Sequence, residues 1–152
     1  MAFLDSMNIS ASALTATRLR MDVVAENMAN INTTRTANGE PYRRRYVVFQ
    51  QREPLPARGT VSPFSSYFNR ARRAAGGGVR VAMIGEDPSA FKLDYNPSHP
   101  DADENGYVSM PNVDVVQEMV DMMAAYRAYE ANITAVNTFK DMAMKTLEIG
   151  KG

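Results

Sequence analysis

The sequence predicts a mainly α-helical protein, in which N- and C-terminal helices pair as an elongated, coiled-coil-like bundle and hold a small β-containing insert between them. Apolar residues recur at alternating steps of three and four in both terminal segments. Between these segments, short β-branched and aromatic runs are separated by Pro and Gly. The predicted helical part comprises residues 1–34 and 112–152, and the insert comprises residues 35–111.

The first helix is predicted over residues 3–31. Apolar side chains, with one arginine among them, follow one another at helical spacing along one side: Leu4, Met7, Ala11, Leu14, Arg18, Met21, Ala25 and Met28. The run at 30–33 predicts the end of this helix, because asparagine tolerates the left-handed conformation that closes many helices.

The insert is predicted to contain strands and one long loop. Residues 46–50 and 79–84 are rich in β-branched and aromatic side chains, and residues 91–95 alternate apolar with charged ones. From about 51 to 78 the chain lacks periodicity and is rich in Pro, Gly, Ser and Arg. This composition predicts a flexible loop.

The last helix is predicted to begin after Pro111 and Asn112, with Asp114 and Gln117 as a cap pair, and to end at Gly150. Its first side is apolar except for one lysine and comprises Val115, Met119, Met122, Tyr126, Tyr129, Ile133, Val136, Lys140, Ala143 and Leu147. A second side is apolar throughout and comprises Val120, Ala124, Ala128, Ala131, Ala135, Phe139 and Met142. One partner helix cannot cover both sides, so the pattern predicts an oligomer.

The predicted assembly interface combines the apolar positions of both terminal helices. It consists of Leu4, Met7, Leu14, Met21, Met28, Val115, Met119, Met122, Tyr126, Tyr129, Ile133, Val136, Phe139 and Leu147. Within a single chain, we expect the first helix to face Met119, Tyr126, Ile133 and Leu147.

Charge is unevenly distributed, although the net charge is zero. Residues 35–80 contain ten arginines and two acids, whereas residues 86–130 contain ten acids and two basic residues. Opposite charges on one subunit suit contacts between neighbouring copies of a polymer. An alternative from another class of protein is a basic nucleic-acid-binding module with a helical oligomerisation domain, since aromatic side chains are interleaved with the arginines.

Motifs for chemistry are weak, and we expect no enzyme, cofactor or metal site. The chain has no cysteine and one histidine. His99 lies beside Ser98 and Asp101, but adjacent residues in a proline-flanked turn do not converge as a catalytic triad. The run Asp101–Gly106 matches the first half of an EF-hand loop, yet the twelfth position is Asn112, where calcium requires a glutamate.

Membrane and export signals are also absent from the sequence pattern. The longest apolar runs are far shorter than the roughly 18 to 20 residues of a transmembrane helix. The N-terminus carries Asp5 where a secretory signal has a basic region. We therefore expect neither a transmembrane segment nor a cleaved signal peptide.

Two stretches carry a resemblance to a known family. The first runs from Asn27 through Thr36 into Pro41–Arg44, and the second runs from Asp87 to Val113. The signature positions are Asn27, Asn30, Asn32, Thr33, Asp87, Pro88, Phe91, Pro97, His99, Pro100, Asp101, Asp103, Gly106, Tyr107, Pro111 and Asn112. Together they resemble the flagellar axial proteins of rod and hook, and among these the proximal rod proteins of the C type.

The resemblance implies a structural role in the bacterial flagellum. Proteins of this family are exported through the flagellar export apparatus without a cleaved signal, and they form the periplasm-spanning rod of the basal body. Their paired terminal helices form the inner layer of a hollow axle that transmits torque. The implied partners are other copies of the chain, other rod proteins, the rod-to-ring junction protein and the export apparatus, and no nucleic acid is expected.

Overall fold

The computed structural model describes residues 2–52 and 77–150. Its elements, in chain order, are helix α1 (Ala2–Ala29), strands β1 (Arg45–Gln51), β2 (Val79–Glu86), β3 (Lys92–Tyr95) and β4 (Tyr107–Met110), and helix α2 (Val115–Ile149). Two terminal helices with a small β region between them confirm the coarse fold class. The predicted flexible loop lies outside the described residues, apart from its two ends.

The strands form two small sheets. Strand β1 pairs with β2, and β3 pairs antiparallel with β4 in a register that places Tyr95 opposite Tyr107 and Lys92 opposite Met110. Strand β4 was not predicted as a strand, because its residues Tyr107–Met110 do not alternate apolar with polar side chains. Strands β1 and β2 lie where the β-branched and aromatic runs predicted them, and β3 lies within the alternating run 91–95.

The end of α1 was predicted within two residues, but the stated reason was wrong. No non-glycine residue in the described part of the chain has a positive φ, so no asparagine there adopts the left-handed conformation. Instead, Asn30 Nδ2 donates to the carbonyl oxygen of Glu26 at 2.9 Å, and Thr33 Oγ1 donates to Asn30 Oδ1 at 3.1 Å. Side-chain hydrogen bonds therefore satisfy groups that the helix leaves open.

Helix α2 begins with Asp114 as its cap, the first member of the predicted pair. The Oδ1 atom of Asp114 accepts hydrogen bonds from the backbone N–H groups of Val116 at 2.9 Å and Gln117 at 3.3 Å. The hydrogen bond from Gln117, followed by that from Val116, lowers the pKa of Asp114. At the other end, Gly150 directly follows the last helical residue, and its N–H donates to the Thr146 carbonyl at 3.2 Å.

The chain divides into two compact units. The first comprises Met1–Thr17, Phe49–Ala82 and Ala128–Gly152, and the second comprises Arg18–Val48 and Met83–Arg127. In the first unit, Val79 N–H donates to Ser12 Oγ at 3.1 Å, and Gly78 lies against the same side chain. A close approach between α1 and the start of β2 thus organises that unit.

The second unit holds most of the buried apolar side chains among the described residues, namely Val23, Val24, Tyr42, Val108, Val113 and Ala125. In it, Arg20 of α1 contacts Asp121 of α2, and Asn27 of α1 contacts Glu118 of α2. A later residue of α1 meets an earlier residue of α2, so the two helices run antiparallel here.

Candidate assembly site

The first turns of α2 present their acidic side to the protein and their apolar side to solvent. Glu118 is 0% exposed and Asp121 is half-buried. Outward side chains on the opposite side are Val116, Met119, Val120, Met123 and Tyr126, with exposures between 49% for Val120 and 71% for Val116. We call these five residues the outward apolar face. A surface helix usually shows the reverse arrangement.

The expected pairing of α1 with Met119 and Tyr126 is therefore wrong. The inward positions are Glu118, Asp121 and Ala125, which lie on another side of the helix. The apolar periodicity of a helix predicts that its apolar side faces the interior. Here the acidic side faces inward, because Glu118 and Asp121 form hydrogen bonds with polar groups from other parts of the chain. Leu147, in the first unit, is 70% exposed, which contradicts its expected pairing as well.

The remaining residues of the predicted interface are distributed over both units. Half-buried side chains are those of Met7, Leu14, Met21, Met28, Met122, Tyr129, Val136 and Phe139, while Val115 and Ile133 are exposed. The side chain of Leu4 lies outside the described part. The structure therefore leaves apolar surface available on both helices.

Asn27 is the centre of a buried polar network and is 0% exposed. Its Nδ2 donates to the Arg45 carbonyl at 2.8 Å and to Glu118 Oε2 at 3.0 Å. Its Oδ1 accepts from Tyr42 Oη at 2.9 Å and from Arg45 N at 2.9 Å. One amide thereby joins α1, the start of β1 and α2, and all of its hydrogen-bonding positions are used.

Burial of Tyr42 has an electrostatic consequence. Desolvation, followed by the nearby charge of Glu26, raises the pKa of Tyr42 to about 12. Its hydroxyl therefore stays protonated and donates to Asn27 Oδ1 throughout the neutral range.

Arg44 connects Glu118 to the rest of the network. Its Nε donates to Glu118 Oε1 at 2.6 Å, and one terminal nitrogen donates to Asp121 Oδ2 at 3.2 Å. Asp121 Oδ1 in turn accepts from Arg20 at 3.0 Å. Each of these two carboxylates is thus paired with a guanidinium and hydrogen-bonded, as a buried charge requires.

Asn112 extends this network to the turn after β2. Its Oδ1 accepts from Arg44 N at 2.8 Å, and its Nδ2 donates to the Asp87 carbonyl at 3.1 Å and to Ser89 Oγ at 2.8 Å. Hydrogen bonds from Ser89 lower the pKa of Asp87. Two positions named by the resemblance, Asp87 and Asn112, therefore hold the insert to the base of α2.

The turn between β3 and β4 contains six of the sixteen signature residues, namely Pro97, His99, Pro100, Asp101, Asp103 and Gly106. Asp103 Oδ1 accepts from the backbone N–H groups of Asn105 at 2.9 Å and Tyr107 at 2.8 Å. Gly106 has φ +80° and lies so close to Tyr95 and Pro97 that a Cβ there would be 3.0 to 3.1 Å from them. These residues stabilise the turn that resembled half of an EF-hand. In the described part of the chain, no three metal-ligating side chains converge.

Further signature residues also make contacts within the chain. Asp101 accepts from Thr34 Oγ1 at 2.8 Å, and the Asp101 N–H donates to His99 Nδ1 at 3.1 Å. The Arg43 guanidinium lies 4.2 Å from the centre of the Phe91 ring. Pro111 is buried, whereas Asn32, Pro88 and Pro100 are exposed.

Part of the charge asymmetry is satisfied inside one chain. Acidic partners lie within 4.0 Å of Arg35, Arg44 and Arg45, in the same second unit. These arginines therefore have acidic partners within their own chain, and the expected pairing with a neighbouring copy stays a prediction. The sequence separated the two charged segments, but it did not show that the fold brings them together.

Sequence reasoning missed Arg20, Tyr42, Arg44, Glu118 and Asp121 as site residues. A signal was present in α2, where Glu118 and Asp121 are acids three residues apart within a mostly apolar run. Acids at this spacing share one side of a helix, and their isolation indicates partners from elsewhere in the chain.

Comparisons with known proteins identify the family. Residues 7–35 match the family model "Flagella basal body rod protein", and residues 104–149 match "Flagellar basal body rod FlgEFG protein C-terminal". The flagellar basal-body rod protein FlgC of Bacillus subtilis is 51% identical over 96% of this chain and 97% of its own length. The chain belongs to the FlgC family of flagellar basal-body rod proteins. FlgC of Borreliella burgdorferi is 45% identical over the full length of both chains, and FlgC of Escherichia coli O157:H7 is 44% identical over 99% of this chain and 100% of its own.

Membership of the FlgC family makes the chain a structural rod protein and not an enzyme. The alternative of a nucleic-acid-binding module has no support. The two family-model matches include the helix that carries Asn27 and the helix that carries Glu118. In the described ranges, no helix combines the length and apolar character needed to cross a membrane.

Proposed function

We propose that this FlgC-family subunit polymerises through its terminal helices into the hollow axle of the proximal rod, which transmits torque for motility. The observation that carries this proposal is the outward apolar face of α2. Val116, Met119, Val120, Met123 and Tyr126 are each about half exposed or more. Burial of a fully exposed Val or Met side chain contributes roughly 1.5 to 3 kcal/mol, and burial from half exposure contributes roughly half as much.

The arrangement of the helix supports contacts with other chains. Glu118 and Asp121 occupy the inward side, so α1 does not cover the outward apolar face within the second unit. Contiguous exposed apolar side chains on one helix are characteristic of an interaction surface. Near the end of α2, exposed Met144, Leu147 and Ile149 supply further apolar surface.

We further propose that the two terminal helices form a coiled-coil-like pair in the assembled rod. Partners would be other copies of the chain, other rod proteins and the rod-to-ring junction protein. The site would be the periplasm-spanning rod of the basal body, reached through the flagellar export apparatus without a cleaved signal. The chain's membership of the FlgC family supports this placement.

The test is a double substitution on the outward apolar face, Val116→Asp with Val120→Asp. Both side chains are exposed, so we expect a folded subunit that cannot bury this face against a neighbour. In a strain that lacks the natural copy, soft-agar motility and electron microscopy of isolated basal bodies are measured. The expected result is loss of motility and of complete rods.

A matched control adds the same two carboxylates to the same helix outside the apolar face. Thr134→Asp with Thr138→Asp changes two exposed polar positions that are four residues apart, as Val116 and Val120 are. We expect this control to be motile and to have normal rods. Normal rods in cells with the Val116 and Val120 substitutions would contradict the proposal.

A further inference from the structure

We propose that two polar pairs, Asn27–Glu118 and Arg20–Asp121, determine which side of α2 the subunit offers to its neighbours. The Asn27–Glu118 distance is 3.0 Å, and the Arg20–Asp121 distance is also 3.0 Å. The role assigned to the outward side rests on the proposed function. The rotation of α2 about its axis is a property of the single chain and is testable without assembly.

The apolar pattern of α2 does not define this rotation. The segment 115–126 is apolar except for Gln117, Glu118 and Asp121. If burial of apolar area decided the packing, Met119 and Met123 would turn toward α1, and the acids would turn toward water. The observed helix does the reverse, so a polar interaction must select the observed side.

The polar network supplies that selection. Glu118 is 0% exposed, and its two oxygens accept from Arg44 at 2.6 Å and from Asn27 at 3.0 Å. Rotation of α2 by one residue position, about 100°, would separate these groups. The buried Asn27 amide would then lose a partner, and unpaired buried polar groups are strongly unfavourable. Buried polar residues define register in coiled coils by the same competition.

Two polar pairs together define both the rotation of α2 and its position along the axis of α1, which one pair alone could not do. Asp121 lies about one turn after Glu118 on α2, while Arg20 lies about two turns before Asn27 on α1. The first pair limits rotation, and the second limits sliding along the axis. The outward apolar face is thereby presented in one orientation, as an interface that repeats identically from subunit to subunit requires.

The chain contains no cysteine, so single introduced thiols report side-chain exposure directly. Three positions serve as reporters in separate full-length chains. Ala125→Cys is the inward reporter, because Ala125 is buried. Met119→Cys is the outward reporter, and Ala124→Cys is the lateral reporter, on a third side that is exposed.

The tested variant is Glu118→Met with Asp121→Ala, which removes both polar pairs and leaves Asn27 bound to Arg45 and Tyr42. Both replacements are good helix formers. A matched control, Glu130→Met with Asp141→Ala, makes the same two changes at exposed positions of α2. Maleimide labelling rates and far-UV circular dichroism are measured for every chain.

In the chain with both polar pairs intact, we expect the thiol of the inward reporter to react at least about tenfold more slowly than that of the outward reporter. In the variant without the polar pairs, we expect this ratio to vanish or reverse, while the lateral reporter stays reactive and the helical signal persists. The control keeps the tenfold ratio.

Either of two results would overturn the proposal. Persistent tenfold protection of the inward reporter in the variant would mean that the pairs do not set the rotation. Loss of the helical signal in the variant, but not in the control, would mean that the pairs hold the helix folded and do not select its side. Neither result bears on rod assembly, which the Val116 and Val120 substitutions test separately.

Discussion

Asn27 of α1 and Glu118 of α2 meet side chain to side chain, with 3.0 Å between Nδ2 and Oε2 and with neither side chain exposed to solvent. The two residues are 91 positions apart in sequence. The same amide also holds the backbone of Arg45 at the start of β1. The two terminal helices and the insert are therefore joined at one buried point.

Replacement of Asn27 by alanine is expected to lower the free energy of unfolding by about 3 kcal/mol or more. The substitution leaves the N–H and carbonyl of Arg45 and the hydroxyl of Tyr42 without their partner, and each buried polar group left unpaired costs about 1–3 kcal/mol. Urea unfolding followed by circular dichroism measures the change. Asn32→Ala, at an exposed asparagine of the same signature, is the control and should change stability by less than about 0.5 kcal/mol.

Replacement of Tyr42 by phenylalanine tests the Tyr42–Asn27 hydrogen bond through its pH dependence. Below pH 10 we expect a loss of about 1 kcal/mol. Because the folded pKa is raised to about 12, the unfolded chain releases the phenolic proton first, and the stabilising effect of Tyr42 falls as pH rises from 10 to 12. The difference in unfolding free energy between Tyr42→Phe and the unsubstituted chain therefore narrows between pH 10 and 12.

Urea unfolding at several pH values between 8 and 12 measures this narrowing. Tyr126→Phe, at an exposed tyrosine of α2, is the control, and its difference from the unsubstituted chain should stay constant. A difference for Tyr42→Phe that is equally constant would show that burial of Tyr42 does not suppress its ionisation.

Substitution of Gly78 by alanine tests the contact of β2 with α1 in the first unit. Gly78 has φ +90°, and an added Cβ would collide with Ser12 Oγ. Gly39→Ala is the matched control, because Gly39 has φ +81° and nothing within 4 Å of an added Cβ. Both variants carry the strain of a positive φ, about 1 kcal/mol, and Gly78→Ala alone adds the collision.

We expect Gly78→Ala to lower the melting temperature clearly more than Gly39→Ala does. Differential scanning calorimetry of both variants measures the difference. Equal losses for the two glycines would indicate that Ser12 moves aside without cost.

Both helices could be predicted from the sequence, because apolar residues that recur at alternating steps of three and four over many residues indicate an α-helix. Predicted bounds of 3–31 compare with Ala2–Ala29, and the cap at Asp114 begins α2 as expected. The pattern could not show which side of α2 faces inward. That choice depends on Asn27 and Arg44, whose positions beside Glu118 arise only when distant segments fold together.

The candidate site was predicted only in part, for a related reason. Asn27, Asp87 and Asn112 were named by resemblance, but their roles in one network were not, because hydrogen-bond partners 15 to 91 residues apart leave no mark in local periodicity. Met119 and Tyr126 were predicted to face the first helix, whereas the structure leaves both side chains exposed. Excess apolar surface predicted association, and polar pairing decided where that surface lies.

The cap of α2 leads to a prediction for acid conditions. Backbone N–H groups lower the folded pKa of Asp114, so its stabilising effect is present above its unfolded pKa and is lost as pH falls through the folded pKa. Asp114→Asn retains an oxygen that accepts the same hydrogen bonds but does not titrate. We therefore expect the variant to lose less stability than the unsubstituted chain when both are acidified below pH 4.

Urea unfolding at pH 7 and in this acid range measures the loss, and Asp141→Asn, at an exposed acid of α2 outside the cap, should follow the unsubstituted chain. Identical acid losses for Asp114→Asn and the unsubstituted chain would show that the ionised cap adds nothing beyond its hydrogen bonds.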